Sequence, residues 1–398
     1  MLYALTMLAA LAADAEPERD RLRDRYERQT QRCEERLIEA EGRWVRVCAD
    51  VQGNEPRHTE RKQRRAVERL IGRRARHSHA QARLEGLGRP ETTVEVVFAT
   101  NRVPDDKQLF GARDQGRLSW GVATVRIPAD HPAGALERDL DIVSVQPLRE
   151  AAFQAHVAAA SGVDQGLLVY VHGYNNSFPY AVRRLAQVSH DLQLPVVPVL
   201  FSWPSHGGTW MSMAKYTYDE NAAARSSAPF AEVLGSLLEE QTAPVVLMAH
   251  SLGSRVVSEA MSDLAQRDGL RPLDELVLAA PDIDATVYAQ RFAPVALGSA
   301  DRVTLYCAAD DRALKLSRQV HGGYDRLGSC REDSLDSLQH PRLEVVDASQ
   351  LYVDLIDHDK VAGSPRLLSD LRQVLVGAPI HADERGLVPQ GPRYELPP

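Results

Sequence analysis

The stretch VVLMAHSLGSRVV, which runs from Val245 to Val257, decides the fold because it predicts a buried strand followed at once by a helix. Its apolar run is typical of a strand that is covered on both faces. Ser251 follows that run, with the small residues Ala249 and Gly253 two positions to either side, as a serine on a strained strand-to-helix elbow requires. Two interpretations remain at this point: a nucleophilic serine, or a serine that caps the helix.

The chain beyond Glu91 alternates short β runs with helical segments, which predicts an α/β fold. Its central sheet should be mostly parallel, with right-handed crossovers and helices on both faces. Polar residues after each apolar run are the candidates for chemistry, because such sheets bind ligands beyond the carboxyl ends of their strands. The last predicted helix extends from about Pro365 to Val376. The predicted strands lie in TVEVVFA, LSWGVATVRI, LDIVSVQ, GLLVYVHG, VVPVLFSWP, PVVLMAHS, DELVLAAPD, DRVTLYCAAD and PRLEVVDAS.

The bulk composition fits an enzyme-sized globular chain. The 398 residues are 44% hydrophobic, and the formal net charge of −8 gives no reason to expect nucleic-acid binding. Changes in sequence texture predict four parts. They are a signal peptide over residues 1–15, an Arg/Glu-rich helical segment over 16–90, an α/β domain over 91–378 and a Pro-rich tail over 379–398.

The first fifteen residues resemble an export signal. Leu2 to Ala13 are almost wholly apolar, and Ala13-Asp14-Ala15 has the small-x-small pattern of a cleavage site. The run is too short for a membrane span. We therefore expect a periplasmic or secreted protein; the alternative is an incorrectly assigned start and a cytoplasmic protein.

The charged segment that follows contains few apolar residues, which predicts a solvated helix or helical hairpin. Its second part, Arg61 to Arg76, is strongly basic and is a candidate for contact with a membrane surface. The alternative is an ordinary solvated helix face.

The four cysteines form two pairs of sequence neighbours: Cys33 with Cys48, and Cys307 with Cys330. This arrangement suits two disulfides in an oxidising compartment, and four isolated buried thiols are the alternative. No cysteine spacing resembles a zinc site, so we expect no metal.

A nucleophilic serine needs a base and an acid, and after an elbow of this kind the acid and then the histidine follow it in the chain. His358 lies after the last predicted strand, where a loop can reach back to Ser251. The runner-up is His321 in a Gly-rich loop. The acid candidates are Asp310 and Asp311 after the penultimate strand. Less favoured residues are Asp282 as the acid, His340 at the wrong end of a strand and His381 in the tail.

Two backbone N–H groups are candidate oxyanion donors. Leu252 follows the serine at a helix N-terminus, and Tyr174 follows His172-Gly173 at the end of a buried strand. His172 itself is better suited to a structural hydrogen bond than to the role of base. His172, Trp203 and His250 are also candidates for lining a substrate pocket, although core packing is the simpler interpretation of Trp203.

Together these motifs resemble the bacterial α/β-hydrolases classed as a domain of unknown function, within the esterase/lipase superfamily. The likeness spans about Val94 to Val376 and implies the α/β-hydrolase fold. The family stretch Y-x-S-x-N-D-x-A-L places Asp310 on its Asn and Asp311 on its aspartate, which favours Asp311 as the acid. His358-Asp359-Lys360 departs from the H-S-Y-like family sequence. The motifs that carry the likeness are VFATNR, LSWGVATVRIP, HGYNNSF, FSWPS, AHSLGSR, AAPDID and LYCAADDRALKLS.

The resemblance implies a serine hydrolase that cleaves an ester through an acyl-enzyme, with Ser251, Asp311 and His358 as its triad. Such an enzyme needs no cofactor, and its partner is a small-molecule or lipid ester. The alternatives are an acyltransferase with the same triad, or a non-catalytic envelope protein that uses the fold as a scaffold. No oligomeric state is predicted.

Overall fold

The computed structural model describes residues 91–107, 109–135, 140–161, 165–207, 213–331, 335–351, 358 and 360–397. The predicted signal peptide, the Arg/Glu-rich helical segment and the pair Cys33 and Cys48 lie outside these residues. Thr92–Ile127 and Leu136–Pro398 form one compact unit, to which the strands and helices given below belong.

Within the described residues, one eleven-stranded sheet has the order β10-β11-β9-β8-β7-β6-β4-β5-β1-β2-β3. Neighbours from β11 through β9 to β1 pair in parallel, while β2, β3 and β10 pair antiparallel at the two edges. The mostly parallel α/β sheet is therefore confirmed. The strands are β1 (Thr92–Asp105), β2 (Leu109–Ile127), β3 (Asp141–Leu148), β4 (Gly166–Val171), β5 (Val196–Ser202), β6 (Val245–His250), β7 (Glu275–Ala279), β8 (Val303–Cys307), β9 (Leu343–Asp347), β10 (Val388–Gln390) and β11 (Arg393–Glu395).

Helices cover both faces of this sheet, as predicted. None of those that the structure describes is long and apolar enough to cross a bilayer. The six labelled helices are α1 (Glu150–Ala160), α2 (Phe178–Leu192), α3 (Met213–Glu240), α4 (Gly253–Leu264), α5 (Arg312–Val320) and α6 (Pro365–Leu375). Shorter helical turns are Ala285–Val287, Tyr288–Phe292, Ala293–Ser299, Leu327–Ser329, Asp336–Leu338, Lys360–Gly363 and Asp383–Arg385.

Alternating strand residues pack into two separate hydrophobic cores, one on each face of the sheet. In β4, Leu167, Val169 and Val171 pack into the core formed with α1, α3 and α4. Leu168 and Tyr170 point to the opposite core, which includes α2 and α6. Because every second side chain of a strand faces the same side, a strand covered on both faces must be apolar throughout, which explains its uninterrupted apolar sequence.

Residues of the predicted Pro-rich tail, 379–398, include the strands β10 and β11. β11 pairs in parallel with β9, so this segment extends the sheet instead of leaving it. Arg385 has no exposed surface and reaches into the protein, where its guanidinium binds Glu344 at 2.8 Å and Asp370 at 2.9 Å. The sequence did not predict these strands, because the stretch contains Pro and Gly and has no local apolar pattern. The segment is attached to the sheet by a long-range ion pair, which a local pattern does not indicate.

The same buried network contains a carboxyl group, Glu275, whose pKa is raised by burial. Thr304 Oγ1 lies 2.8 Å from Glu275 Oε1 and 2.8 Å from Glu344 Oε1, yet a hydroxyl can donate only one hydrogen. A protonated Glu275 supplies the second one. Burial raises the pKa of Glu275 from 4.5 to about 7, although Arg302 opposes the shift.

This raised pKa makes stability depend on pH. A group with a raised folded-state pKa stabilises the fold below its unfolded pKa, and that stabilisation is lost as pH rises through the folded pKa. Between pH 5 and pH 8 the Glu275 contribution should fall by about 2–3 kcal/mol. We therefore expect Glu275→Gln to remove that part of the pH dependence in urea unfolding. The exposed control Glu239→Gln should keep the wild-type slope, and an unchanged slope in Glu275→Gln would contradict the assignment.

Candidate active site

Ser251 lies on a sharp turn between β6 and α4. Its φ of +52° is in the left-handed region that residues with a side chain rarely adopt. The Ser251 N–H donates to the Ala279 carbonyl at 2.9 Å, and the Ser251 carbonyl accepts from Asp282 N–H at 3.2 Å. Helix α4 begins at Gly253 without a side-chain cap bond. The structure thus favours the elbow over the helix cap for this serine.

Two glycines let the turns after β4 and β6 touch. A Cβ placed on Gly253 would lie 2.4 Å from the His172 carbonyl oxygen. A Cβ on Gly173 would lie 2.8 Å from the Cβ of Ser251. Both distances are shorter than any ordinary contact, so a side chain at either position would push the two turns apart.

The three predicted triad residues form one hydrogen-bonded line. His358 Nε2 lies 2.6 Å from Ser251 Oγ, and His358 Nδ1 lies 2.7 Å from Asp311 Oδ2. Asp311 is 1% exposed, and its other oxygen accepts the Leu314 N–H at 2.9 Å at the start of α5. With Asp311 ionised, Nδ1 carries the imidazole proton, and Nε2 accepts the Ser251 hydroxyl hydrogen.

The competing carboxylates have other partners. Asp310 binds Lys360 Nζ at 2.8 and 3.0 Å. Asp282 binds Arg326 at 2.6 Å, Tyr216 Oη at 2.6 Å and Ser317 Oγ at 2.7 Å. Burial opposes ionisation of Asp282, but the Arg326 guanidinium and these hydrogen bonds outweigh it and hold its pKa below the ordinary value. Asp282 is therefore committed to a structural ion pair.

The other candidate histidines also bond elsewhere. His321 Nε2 lies 2.9 Å from Glu220 Oε1, and its Nδ1 lies 2.7 Å from the Ser317 carbonyl. His340 forms an isolated bridge with Leu343 before β9, and the imidazole of His381 lies near Tyr394 at the end of the chain. The runner-up role for His321 thus has no support from its hydrogen bonds.

The backbones of both predicted oxyanion donors border Ser251. Leu252 is the next residue in the chain and is fully buried at the start of α4. Tyr174 follows Gly173, which packs against Ser251, and the Tyr174 ring lies 5.3 Å from the ring of Tyr216.

The structure corrects the pocket assignments for His172 and Trp203. Both are 0% exposed, so neither can contact a substrate. Trp203 Nε1 donates to the His172 carbonyl at 2.6 Å, and the two rings stack at 5.0 Å beneath the β4 turn. His250 is 7% exposed, and its Nε2 lies 3.1 Å from the His358 carbonyl. It therefore supports the histidine segment.

Residues that the sequence did not indicate hold the turn after β4. The buried carboxylate of Asp219 accepts Asn175 N–H at 3.1 Å and His206 N–H at 3.0 Å, and it also accepts the Ser205 hydroxyl. Arg102 reaches the same turn from β1. The only sequence signal for Arg102 was its place in the VFATNR motif, which carries no indication of its partners.

A disulfide joins Cys307 to Cys330, one of the two predicted pairs. Cys307 ends β8, and the next residue donates its N–H to the Gly328 carbonyl at 2.9 Å. The bond therefore ties the strand that precedes Asp311 to the segment that carries Arg326. Across the described parts of the chain, no cluster of three or more His, Cys, Asp or Glu side chains could hold a metal ion.

Residues 149–378 match the family described as alpha/beta hydrolase of unknown function (DUF900). The chain belongs to this family. The match confirms the predicted resemblance and the α/β-hydrolase fold, and its range contains the elbow, the acid and the histidine.

The solved structures to which the chain is similar include an esterase, a phospholipase and an alpha-beta-hydrolase, all at low identity, and no curated protein matches the chain. Esterase PE8 is 14% identical with a TM-score of 0.33, over 55% of this chain and 95% of that one. Phospholipase PlaB from Legionella pneumophila is 16% identical with a TM-score of 0.24, over 51% of this chain and 42% of that one. The peroxisomal alpha-beta-hydrolase Lpx1 from Saccharomyces cerevisiae is 10% identical with a TM-score of 0.26, over 74% of this chain and 91% of that one.

The disulfide should be both protected and stabilising. Cys307 and Cys330 should resist alkylation in the native protein until a reductant is added, as read by peptide mass spectrometry. Cys330→Ser should lower the free energy of unfolding by about 3 kcal/mol, because the bond closes a chain segment with a sequence separation of 23. The same substitution assayed under reducing conditions, where wild type also lacks the bond, is the control. Ready alkylation of unreduced wild type would contradict the pairing.

Proposed function

We propose that this protein is a serine hydrolase that cleaves a carboxylic ester by way of an acyl-enzyme. The observation that carries the proposal is the hydrogen-bonded line from Ser251 through His358 to Asp311. Membership in a family of alpha/beta hydrolases supports the reaction class. The substrate would be a small-molecule or lipid ester.

The hydrogen bonds give each residue a role in the first half-reaction. Ser251 Oγ attacks the ester carbonyl while its proton moves to His358 Nε2. The ionised Asp311 stabilises the imidazolium that results and keeps its Nδ1 proton in place. The tetrahedral intermediate then collapses, the C–O bond to the alcohol breaks, and His358 returns the proton to the departing oxygen.

Water completes the cycle by the same route. His358 takes a proton from a water molecule, whose oxygen attacks the acyl carbonyl. The bond between the acyl carbon and Ser251 Oγ then breaks, His358 returns the proton to Ser251 Oγ, and the acid is released. During both steps the negative oxygen would accept the N–H groups of Leu252 and Tyr174. One such donor typically lowers the barrier by about 3 kcal/mol.

The two alternatives differ in what they require. A non-catalytic scaffold has no use for a carboxylate that is 1% exposed and aimed at a histidine, since burying such a charge is costly. An acyltransferase would use the same triad and transfer the acyl group to an alcohol or amine instead of water. Product analysis with and without an added acceptor separates the two enzymatic reactions.

We also propose that the protein works in an oxidising compartment, as a periplasmic or secreted enzyme. The Cys307–Cys330 disulfide supports this location, because structural disulfides form and persist in such compartments. Contact between the basic segment before residue 90 and a membrane surface remains a proposal from sequence.

The first test is labelling with a fluorophosphonate probe, which modifies activated serines. Wild type should be labelled at a single serine, identified by mass spectrometry as Ser251, and Ser251→Ala should not be labelled. Ser262→Ala removes a serine hydroxyl from the same helix, α4, and should leave labelling intact. Folded wild type without labelling would exclude the serine hydrolase.

A second test separates the adjacent carboxylates. Asp311→Asn should lower kcat for a p-nitrophenyl ester by about 10⁴-fold, because the histidine loses the charge that fixes its tautomer. Asp310→Asn breaks only the Lys360 contact, so its kcat should fall by less than about 10-fold. Thermal melting of both variants checks folding. A larger kcat loss in Asp310→Asn would overturn the assignment of Asp311.

A further inference from the structure

Arg102 ends the VFATNR motif of β1 and is 1% exposed. Its Nε donates to Ser202 Oγ at 2.9 Å, and its Nη1 donates to the carbonyls of Gly111 at 3.0 Å and Ser205 at 2.9 Å. Its Nη2 donates to the Asn176 carbonyl at 2.7 Å and lies 3.3 Å from His172 Nε2. All these acceptors are neutral.

A buried guanidinium with only neutral acceptors is expensive, because a desolvated charge is normally offset by an opposite one. Burial lowers the pKa of Arg102 to about 9, although the charge of Asp219 opposes the shift. The side chain is thus still charged at neutral pH. Such a costly arrangement suggests a role beyond packing, and two of the five acceptors lie in the turn after β4.

The contact with Arg102 sets the hydrogen bonding of His172. His172 Nδ1 lies 3.0 Å from the Gly173 carbonyl, which can only accept, so Nδ1 carries the proton. Nε2 is then an acceptor for Arg102. Burial, together with the Arg102 charge, lowers the pKa of His172 well below its ordinary value, which keeps this neutral form.

The Gly173 carbonyl is therefore held from two sides. His172 Nδ1 donates to it, and Asn176 Nδ2 donates to it at 3.1 Å. That carbonyl and the Tyr174 N–H belong to one planar trans peptide and point in opposite directions. Fixing the carbonyl therefore fixes the direction of the N–H, at a turn that packs against Ser251.

We propose that Arg102 is a positioning residue: through His172 and Asn176 it orients the Gly173–Tyr174 peptide so that the Tyr174 N–H can stabilise the oxyanion. This inference rests on the proposed hydrolase function and deepens it. It also gives the VFATNR motif a task in a site that lies 70 or more residues further along the chain.

The test compares Arg102→Lys with wild type on a p-nitrophenyl ester. Lysine keeps the charge but cannot reach Ser202, Gly111 and Asn176 together, because it lacks the planar fork. We expect kcat to fall about 10- to 100-fold with KM changed less than about 3-fold, since a misplaced donor affects the transition state and not ground-state binding. The affinity for a boronic acid, which mimics the tetrahedral intermediate, should fall in parallel.

Arg385→Lys is the matched control, because Arg385 is equally buried but binds Glu344 and Asp370, away from the turn. It should lower Tm and leave kcat per folded molecule unchanged. A purely structural Arg102 would behave in the same way, and that result would overturn the inference. If Arg102→Lys does not fold, Asn176→Ala removes one donor to the Gly173 carbonyl and should lower kcat with little change in KM; an unchanged kcat would overturn the inference.

The two proposals fail in different ways. An active, fluorophosphonate-labelled wild type whose Arg102→Lys variant keeps full kcat overturns the role of Arg102 alone. A folded wild type that neither labels nor hydrolyses esters overturns the hydrolase and this inference with it.

Discussion

The contact between the turns after β4 and β6 is the constraint on which the site depends. Gly253 lies against the His172 carbonyl, and Gly173 lies against Ser251, with no space for a side chain at either glycine. Parallel strands β4 and β6 are neighbours, so their carboxyl ends bring the two turns together. Ser251 has a left-handed backbone at this turn, and its hydroxyl lies within hydrogen-bond distance of His358.

The acid and the histidine are held by two parallel contacts. Asp310 binds Lys360, and the adjacent Asp311 binds His358. Lys360 and His358 are two residues apart. Lys360 Nζ also bonds to the carbonyls of Ala348 and Leu351, which anchors this segment beyond β9. The departure from the H-S-Y-like family sequence thus introduces a cation with a defined partner. This pairing explains why two consecutive carboxylates occur where a triad needs only one.

Buried charges in this protein connect segments that are distant in the chain. Arg385 joins the C-terminal strands to β9 and α6 through two carboxylates. Arg102 joins β1 to the turns after β4 and β5 through neutral acceptors. Ion pairs with good geometry can offset the free-energy cost of removing a charge from water, whereas neutral acceptors alone offset that cost poorly. The first network therefore stabilises the sheet, and the second is more informative about the site.

Local pattern determined the α/β fold, the elbow at Ser251 and the order in which Asp311 and His358 follow it, because these features depend on strand burial and on which residues follow each strand. Only the tertiary structure decided that His172 and Trp203 are buried, that the C-terminal tail adds strands, and that Arg102 supports the turn at Tyr174. The physical reason is that these contacts join residues distant in the chain, such as Trp203 with His172 at 31 positions and Arg102 with Asn176 at 74 positions. The residue pattern within a single helix or strand does not indicate such distant partners.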